Sequence, residues 1–276
     1  MTAPRTYDER HAAALEVLDG FLGGRGDPAR VARSMQRRHG PLGDFGIDVV
    51  LGDIWARPEL SRRDRSLIVV SVLGALGSSD ELAWHTQVGL NHGLTRTEID
   101  EALLHVAVYA GFPMAMQASR IVDECLRSLD GVDRLPERPK SARQGDAERR
   151  AAACDVRQTI TGGRTSSEPA EDFDDVVARI GEVGRVMYPW AFGDVWARPE
   201  LGRRDRSLIV IALLTALSRE DELSFHIPAG LNHGLSRAEV EEIMVQLTIY
   251  AGVPRAIGGA LAMRQVFADL DAPGDG

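Results

Sequence analysis

The sequence contains very few cysteines and few aromatic residues. Two of its 276 residues are cysteines, Cys125 and Cys154, and 5% are aromatic. Because neither cysteine lies in a CxxC motif, a disulfide-stabilised scaffold is not expected and a cytoplasmic location is the expectation. Cys154 aligns with Leu15 in the repeat described below, so we interpret it as a buried core thiol rather than a reactive one.

Long apolar runs are also scarce, and basic residues are fewer than acidic residues. No run approaches the ~20 apolar residues that a membrane helix needs, and the first ten residues, MTAPRTYDER, lack the apolar segment of a secretory signal. The net charge is −9. A chain with this acidic balance is not expected to bind nucleic acid or an anionic membrane, because both need clustered positive charge. A few local arginines can still hold a small anionic substrate.

What the chain does have is a long internal repeat. Residues 52–113 and 193–254 align without a gap at a constant offset of 141, and 36 of the 62 aligned positions are identical. This period is far longer than that of a solenoid repeat, so it predicts two copies of a whole small domain. We place the first copy at residues 1–130 and the second at 145–270, with a polar linker at 129–147.

The residue pattern within each copy predicts an all-α fold. Residues 7–24 and their counterpart 145–163, at an offset of 139, have apolar positions at helical spacing. The apolar run 63–76 is long enough for a buried helix, although its β-branched residues weaken that prediction. Residues 162–175 are polar and are expected to form a surface loop. Capping boxes begin a later helix in both copies, at Thr95 with Glu98 and at Ser236 with Glu239.

A glutamate and a histidine recur four residues apart in both copies, as Glu81 with His85 and Glu222 with His226. Side chains at i and i+4 lie on one helix face and can touch. A carboxylate raises the pKa of a neighbouring imidazole and orients its ring, which produces a proton donor or acceptor near neutral pH. The alternative is a glutamate that favours the helix dipole and a hydrogen-bonded polar histidine. Because both copies keep the pair while neighbouring residues vary, we predict that these four residues are catalytic.

Other polar residues of the repeat are candidates for binding. His92 and His233 lie on the same helix stripe near its end, and a metal site built from them is not predicted because a fourth ligand is missing. Arginines crowd the start of the apolar run in each copy, where most are expected to be solvated or paired. Arg65 and Arg206 lead directly into the buried helix, and we predict that they bind a substrate carboxylate. Four aromatic residues are interpreted as core: Trp55, Trp196, Tyr109 and Tyr250.

Taken together, the motifs WARPEL, RDRSL, DELxxH, GLNHG and YAGxP resemble the carboxymuconolactone decarboxylase family, within the alkylhydroperoxidase D-like superfamily. The resemblance covers residues 50–128 and 191–269. It implies two tandem all-helical domains. Members of the family are commonly hexamers of single domains, so a fused pair implies a homotrimer that contains six domain copies.

The peroxidase branch of that superfamily carries a catalytic CxxC motif followed, four residues later, by a histidine. The positions of these cysteines can be counted back from His85 and His226. Here they hold other residues: Ser78, Glu81, Arg219 and Glu222. The absence of both thiols excludes a dithiol peroxidase. The remaining motifs match the decarboxylase branch. The chain departs from that branch in being fused and in having Asn-His where Asn-Asn is usual.

The resemblance implies a lyase that needs no cofactor and no metal and acts on a small carboxylated lactone or a related enolisable metabolite. In γ-carboxymuconolactone, the electrons left by CO₂ delocalise through the ring double bond to the lactone carbonyl, so the substrate is its own electron sink. We expect the two catalytic histidines to donate a proton or to stabilise the oxyanion, and the two glutamates to orient them. An isomerase, cyclase or lyase of secondary metabolism remains an alternative, as does a non-catalytic oligomeric binding protein.

Overall fold

The computed structural model describes residues 5–131 and 144–272. Within these ranges the chain forms thirteen α-helices and two π-helices and no strand, which confirms the predicted all-α fold. The first copy contains α1 (Tyr7–Phe21), α2 (Pro28–His39), α3 (Pro41–Phe45), π1 (Gly46–Trp55), α4 (Arg62–Leu76), α5 (Ser79–Asn91), α6 (Arg96–Tyr109) and α7 (Phe112–Asp130). The second copy contains α8 (Asp146–Thr161), α9 (Pro169–Met187), π2 (Tyr188–Trp196), α10 (Arg203–Ala216), α11 (Glu220–Asn232), α12 (Arg237–Tyr250) and α13 (Val253–Asp271).

Two helices begin at the capping boxes that the sequence predicts. The hydroxyl of Thr95 accepts from the backbone N–H of Glu98, whose carboxylate accepts from the backbone N–H of Thr95, so a capping box starts α6. Ser236 and Glu239 form the same box at the start of α12. These contacts satisfy backbone donors that the first turn of a helix otherwise leaves unpaired. Both predicted capping boxes are confirmed.

The centre of the molecule is the pair α4 and α10. Every residue from Asp64 to Ala75 in α4 and from Arg206 to Ala216 in α10 is buried, and the two helices pack against each other. A helix that is apolar on all sides must be covered on all sides. Burial of one such Leu, Ile or Val side chain contributes roughly 1.5–3 kcal/mol. Tertiary packing therefore outweighs the weak helix propensity of the β-branched residues, and the predicted buried helix is confirmed.

Reciprocal ion pairs join the two copies at the start of these central helices. Arg63 donates to Asp205 at 2.7 Å, and Arg204 donates to Asp64 at 3.0 Å. Asp64 and Asp205 are equivalent residues, and each directly follows one of the two arginines. Each arginine therefore contacts the aspartate of the other copy. This reciprocity is the signature of an isologous contact, which here relates the two halves of one chain by an approximate twofold axis.

Helices extend into both segments that the sequence predicts to be irregular. The predicted loop at 162–175 is shorter than expected, because α9 begins at Pro169 and only residues 162–168 are irregular. Proline is favoured in the first turn of a helix, where its missing N–H costs nothing. The predicted linker, residues 129–147, overlaps the end of α7 at Asp130 and the start of α8 at Asp146, and residues 132–143 of it lie outside the described residues.

None of the described helices has the length and apolarity that a membrane span requires.

Candidate functional site

Each copy positions a tryptophan at the end of a π-helix. π1 ends at Trp55 and π2 ends at Trp196, and both indoles are buried. π-Helical turns are rare and are frequently found at functional sites. Nε1 of Trp55 donates to Oη of Tyr250 at 2.9 Å, and Nε1 of Trp196 donates to Oη of Tyr109 at 3.2 Å. Each tryptophan therefore binds a tyrosine that belongs to the other copy.

The imidazole of His85 lies against the first of these pairs. Its ring is nearly parallel to that of Trp55, with centroids 6.1 Å apart, and its Nε2 lies 3.2 Å from Oη of Tyr250. The tyrosine oxygen accepts from Trp55, and Nε2 of His85 is the acceptor for its hydroxyl hydrogen, so we assign the imidazole hydrogen to Nδ1. Nδ1 is buried and has no hydrogen-bond partner among the described residues. The site therefore presents an unpaired N–H donor.

The pKa of His85 is lowered and not raised. Burial, reinforced by the nearby imidazole of His92, lowers the pKa of His85 to about 3, so the ring is neutral at pH 7. Glu81 is exposed, and within the described ranges no hydrogen bond joins it to His85, whose ring contacts Tyr250 instead. The expectation that Glu81 raises the pKa of His85 and orients its ring is therefore wrong. Solvent screens an exposed carboxylate, and desolvation of the imidazole outweighs it.

The same correction applies to Glu222 and His226 in the second copy. Glu222 is exposed, and burial, followed by the effect of the His233 imidazole, lowers the pKa of His226 to about 3. The ring of Trp196 stacks on His226 with centroids 6.3 Å apart, and Tyr109 meets it nearly at right angles at 5.6 Å. Between Tyr109 and His226, however, the described residues show no hydrogen bond of the kind that Tyr250 makes to His85.

His92 belongs to the same pocket as His85. Its ring lies 5.8 Å from that of Trp55, and its Nδ1 lies 2.8 Å from the hydroxyl of Ser66. Burial and the Arg62 guanidinium lower the pKa of His92 to about 4, while the Arg62 carbonyl opposes the shift. Nε2 is buried and lacks a hydrogen-bond partner in the part of the chain that the structure describes. Trp55 thus brings two neutral histidines together, each with one unpaired ring nitrogen.

His233, the counterpart of His92, has partners for both ring nitrogens. Nδ1 lies 2.7 Å from the hydroxyl of Ser207, and Nε2 lies 2.9 Å from the hydroxyl of Thr159. Arg203 donates from Nη1 to the same threonine oxygen at 2.5 Å. Burial and the charge of Arg203 lower the pKa of His233 to about 4. The predicted binding residues His92 and His233 therefore occupy equivalent positions with different hydrogen bonding.

Arg65 and Arg206 lie in the interface between the copies. Both side chains are fully buried. Arg65 donates to Glu242 at 2.7 Å, and Arg206 donates to Glu101 at 2.9 Å. A buried charge needs a paired countercharge, and each guanidinium already has one in the opposite copy. We therefore correct the expectation that these arginines bind a substrate carboxylate: they join the two halves of the chain.

A further histidine lies beneath the second site. The Nδ1–H of His105 donates to the backbone oxygen of Glu101 at 3.0 Å, and the ring of His105 stacks on that of Tyr109. Burial lowers its pKa to about 3. Its counterpart in the repeat is Gln246, which accepts from Arg65 at 2.7 Å. His105 is not repeated, and this difference between the copies, visible in the sequence, shows that the two sites are not chemically identical.

Neither cysteine contributes to these pockets. Cys125 and Cys154 are free, and their thiols contact the backbone oxygens of Ala83 and Ser166. Burial raises the pKa of both thiols, which disfavours the reactive thiolate. Within residues 5–131 and 144–272, no group of three or more His, Cys, Asp or Glu side chains is arranged to hold a metal ion.

The aromatic residues of the pockets are what the sequence interpretation missed. Trp55, Trp196, Tyr109 and Tyr250 were interpreted as core, and both tryptophans are buried, but all four also contact the paired histidines. Their identity in both copies was visible in the repeat. A buried tryptophan N–H or tyrosine O–H needs a hydrogen-bond partner, and here those partners lead across the copy interface to the imidazole.

Comparison with known proteins agrees with this picture. The profile of the carboxymuconolactone decarboxylase family matches the chain twice, at residues 47–124 and 181–265, and so supports the tandem arrangement. The 4-carboxymuconolactone decarboxylase of Acinetobacter baylyi is 34% identical over 125 residues, which cover 45% of this chain and 91% of that protein. The nitrosuccinic acid decarboxylase of Metarhizium robertsii is 36% identical over 137 residues, which cover 47% of this chain and 92% of that protein. The chain therefore belongs to the carboxymuconolactone decarboxylase family, as a member that carries two copies of the domain.

Proposed function

We propose that this protein is a cofactor-independent carboxy-lyase that acts on a small carboxylated lactone or a related enolisable acid. One observation carries the proposal: the buried, neutral imidazole of His85 is held by Tyr250 and presents an unpaired N–H donor. The relatives named as decarboxylases support the reaction class.

The proposed reaction breaks the bond between a substrate carbon and its carboxylate. The electron pair of that bond moves through a conjugated double bond onto a carbonyl oxygen, CO₂ leaves, and a proton then returns to carbon. An enzyme accelerates such a step by stabilising the oxyanion more strongly than it stabilises the bound substrate. The Nδ1–H of His85 is a suitable donor, because burial removes the water that would otherwise weaken the hydrogen bond.

This assignment selects between the two roles that we considered for the histidines. A histidine with a pKa of about 3 carries almost no imidazolium at pH 7, so His85 stabilises the oxyanion by hydrogen bonding and is a poor source of the returning proton. Tyr250 stays protonated, since burial raises its pKa, and continues to hold Nε2 as an acceptor. The proton that reaches carbon therefore does not come from an imidazolium at His85, and solvent is its ultimate source. In D₂O the product should therefore carry one deuterium at that carbon.

The direct test is turnover without added cofactor. The purified full chain is incubated with 4-carboxymuconolactone and, separately, with nitrosuccinic acid in the presence of a metal chelator, and released CO₂ is measured. Release that is lost in His85→Gln supports the proposal. If the folded protein binds these acids and releases no CO₂ from either, the binding-protein alternative replaces it.

We also propose that the functional assembly is a homotrimer. Large apolar side chains are exposed at equivalent positions of the two copies, related by the offset of 141: Trp84 and Phe225, Phe112 and Val253, Met116 and Ile257. Exposed apolar surface repeated in this way favours burial against further copies of the same chain. A light-scattering mass near three times 30.0 kDa supports the trimer, and a mass near that of one chain contradicts it.

A further inference from the structure

The two histidine pockets differ at one position of the helix that covers them. In the second copy this position is Thr159 of α8, and in the first it is Gly20 of α1, at the same offset of 139 that relates these helices. The equivalence is supported by contacts on both sides: Asn91 donates to the backbone oxygen of Phe21, and Asn232 donates to that of Ile160. The substitution removes a whole side chain from the first pocket.

The hydroxyl of Thr159 shows what this part of the pocket binds. It has one hydrogen, which it donates to the backbone oxygen of Val156 at 2.8 Å. The contacts to Arg203 Nη1 and His233 Nε2 must therefore both be donated to the threonine oxygen. A guanidinium N–H and an imidazole N–H thus converge on a single oxygen, and in the second copy the protein itself supplies that oxygen.

The first copy has the equivalent guanidinium and imidazole and no such oxygen. The hydroxyl of Ser66 lies against Nδ1 of His92 as that of Ser207 lies against Nδ1 of His233, so we assign the hydrogen of the His92 ring to Nε2 as well. Nη1 of Arg62 and Nε2 of His92 are both buried and without hydrogen-bond partners among the described residues. A Cβ atom placed on Gly20 would lie 3.4 Å from each of them, so both atoms face the space that the missing side chain leaves. The Arg62 side chain is 32% exposed as a whole, so the guanidinium lies at the edge of the protein while its Nη1 is buried.

We infer that Gly20, Arg62 and His92 form a carboxylate-binding subsite that exists in the first pocket alone, and that Thr159 closes its counterpart in the second. A threonine side chain and a carboxylate group each contain three non-hydrogen atoms, so the two groups are similar in size. A carboxylate supplies the acceptor that both donors lack, and the hydrogen bond from a guanidinium is charge-assisted. The exposed carboxylate of Glu16 contacts the other end of the guanidinium, at Nη2, and leaves Nη1 free.

This inference rests on the proposed function only in identifying the carboxylate as part of the substrate, and it concerns binding. The two sites of the chain are unequal: the first can hold an anionic ligand, whereas the second has its donors satisfied internally. In this inference the carboxylate is bound by Arg62, the first residue of α4, and not by Arg65, which the sequence predicted and which lies three residues later.

The test measures the stoichiometry of succinate binding to the full chain by isothermal titration calorimetry. Succinate is a small dicarboxylate, and succinamide serves as its neutral match. We expect one succinate per chain and no comparable binding of succinamide. Gly20→Thr should weaken succinate binding roughly 10–100-fold, the usual worth of hydrogen bonds to a charged group. No backbone atom lies near the added Cβ, and Gly20 has ordinary helical φ, so this variant is expected to fold.

The reciprocal change should move the site. Thr159→Gly is expected to bind a second succinate, and the double variant Gly20→Thr with Thr159→Gly should return to one. Should Thr159→Gly unfold, Thr159→Ala removes the same oxygen and keeps the Cβ. Arg62→Gln should weaken binding at least tenfold, and its matched control Arg203→Gln should not.

The inference is overturned if the wild-type chain binds no succinate or two, if Gly20→Thr binds as the wild type does, or if neither Thr159 variant gains a site. Failure of the proposed function is a separate outcome, seen as absent CO₂ release from a chain that still binds one succinate.

Discussion

The hydroxyl of Tyr250 lies 3.2 Å from Nε2 of His85, although 165 residues separate them in the chain. The tyrosine ends α12 of the second copy, and the histidine lies within α5 of the first. The ring that we assign to oxyanion stabilisation is therefore oriented by the opposite half of the molecule. Two predictions follow from this contact and from the ring that it holds.

The first concerns the tyrosine. Tyr250→Phe keeps the aromatic packing and removes the hydroxyl, so Nε2 of His85 loses its donor and the ring loses its fixed tautomer. We expect kcat to fall about 10–100-fold with little change in KM, because the hydrogen bond acts on a transition-state contact. Steady-state kinetics check this. Tyr109→Phe is the matched control and should have a much smaller effect, and equal losses in the two variants would contradict the assignment.

The second concerns the histidines themselves. His85→Gln should lower kcat roughly 10²–10³-fold, the usual cost of removing one oxyanion donor. His226→Gln should have a small effect, because Thr159 closes the subsite of the second pocket. A loss of about half of the activity in each variant would show instead that the two sites work independently. Both kcat and Tm are measured on the same preparations. A lower Tm with an unchanged kcat in the His85 variant would show that the residue is structural.

The third prediction is acid sensitivity. Burial lowers the pKa of His85, His105 and His226 to about 3, far below the ~6.5 of an unfolded histidine. Below pH 6.5 the unfolded chain binds more protons than the folded chain, so stability is full above that pH and is lost as the pH falls towards 3. Each of these residues should cost about 1.4 kcal/mol for each pH unit below 6.5.

Thermal unfolding at pH 7, 6 and 5 tests this, with a falling Tm expected. Replacing His85 and His226 together by Gln should make the decline shallower. A Tm that stays flat or rises on acidification would be inconsistent with neutral buried histidines.

The fourth prediction concerns the ion pairs between the copies. Glu242→Gln leaves the fully buried guanidinium of Arg65 without a countercharge, and loss of one partner of a buried pair costs roughly 3–5 kcal/mol. Urea unfolding measures this loss. Glu59→Gln is the matched control: Glu59 contacts the partly exposed Arg57 at 3.6 Å, and such pairs contribute only about 0–1 kcal/mol. A similar loss of unfolding free energy in the two variants would show that the buried pair of Arg65 and Glu242 contributes no more to stability than the exposed pair.

The fifth prediction concerns the thiols. Cys125→Ser combined with Cys154→Ser should leave turnover nearly unchanged, because both thiols contact backbone oxygens away from the histidine pockets and have raised pKa values. Cys154 is buried, so its replacement should lower the Tm more than that of Cys125. Loss of turnover in a double variant that is still folded would assign a catalytic role to a cysteine.

The sequence predicted the parts of this molecule that are local. Capping boxes and the apolar run of α4 depend on neighbouring residues, and the tandem family was visible in the repeated motifs. The pairing of Glu81 with His85 was predicted by the same local logic and failed, because the i, i+4 spacing does not say how deeply the imidazole is buried. Tyr250 and Glu242 reach the first copy only through packing of α12 against α4 and π1, which no local pattern encodes.

The unequal residues at the two equivalent positions also have an evolutionary consequence. In a dimer assembled from one unfused gene product, both pockets must carry the same amino acid, so a glycine that opens one opens the other. Fusion removes that constraint: Gly20 and Thr159 are inherited side by side in one gene and can change separately. Each half still completes the pocket of the other through Tyr250 and Tyr109, so a mutation in either half alters the selection that acts on both.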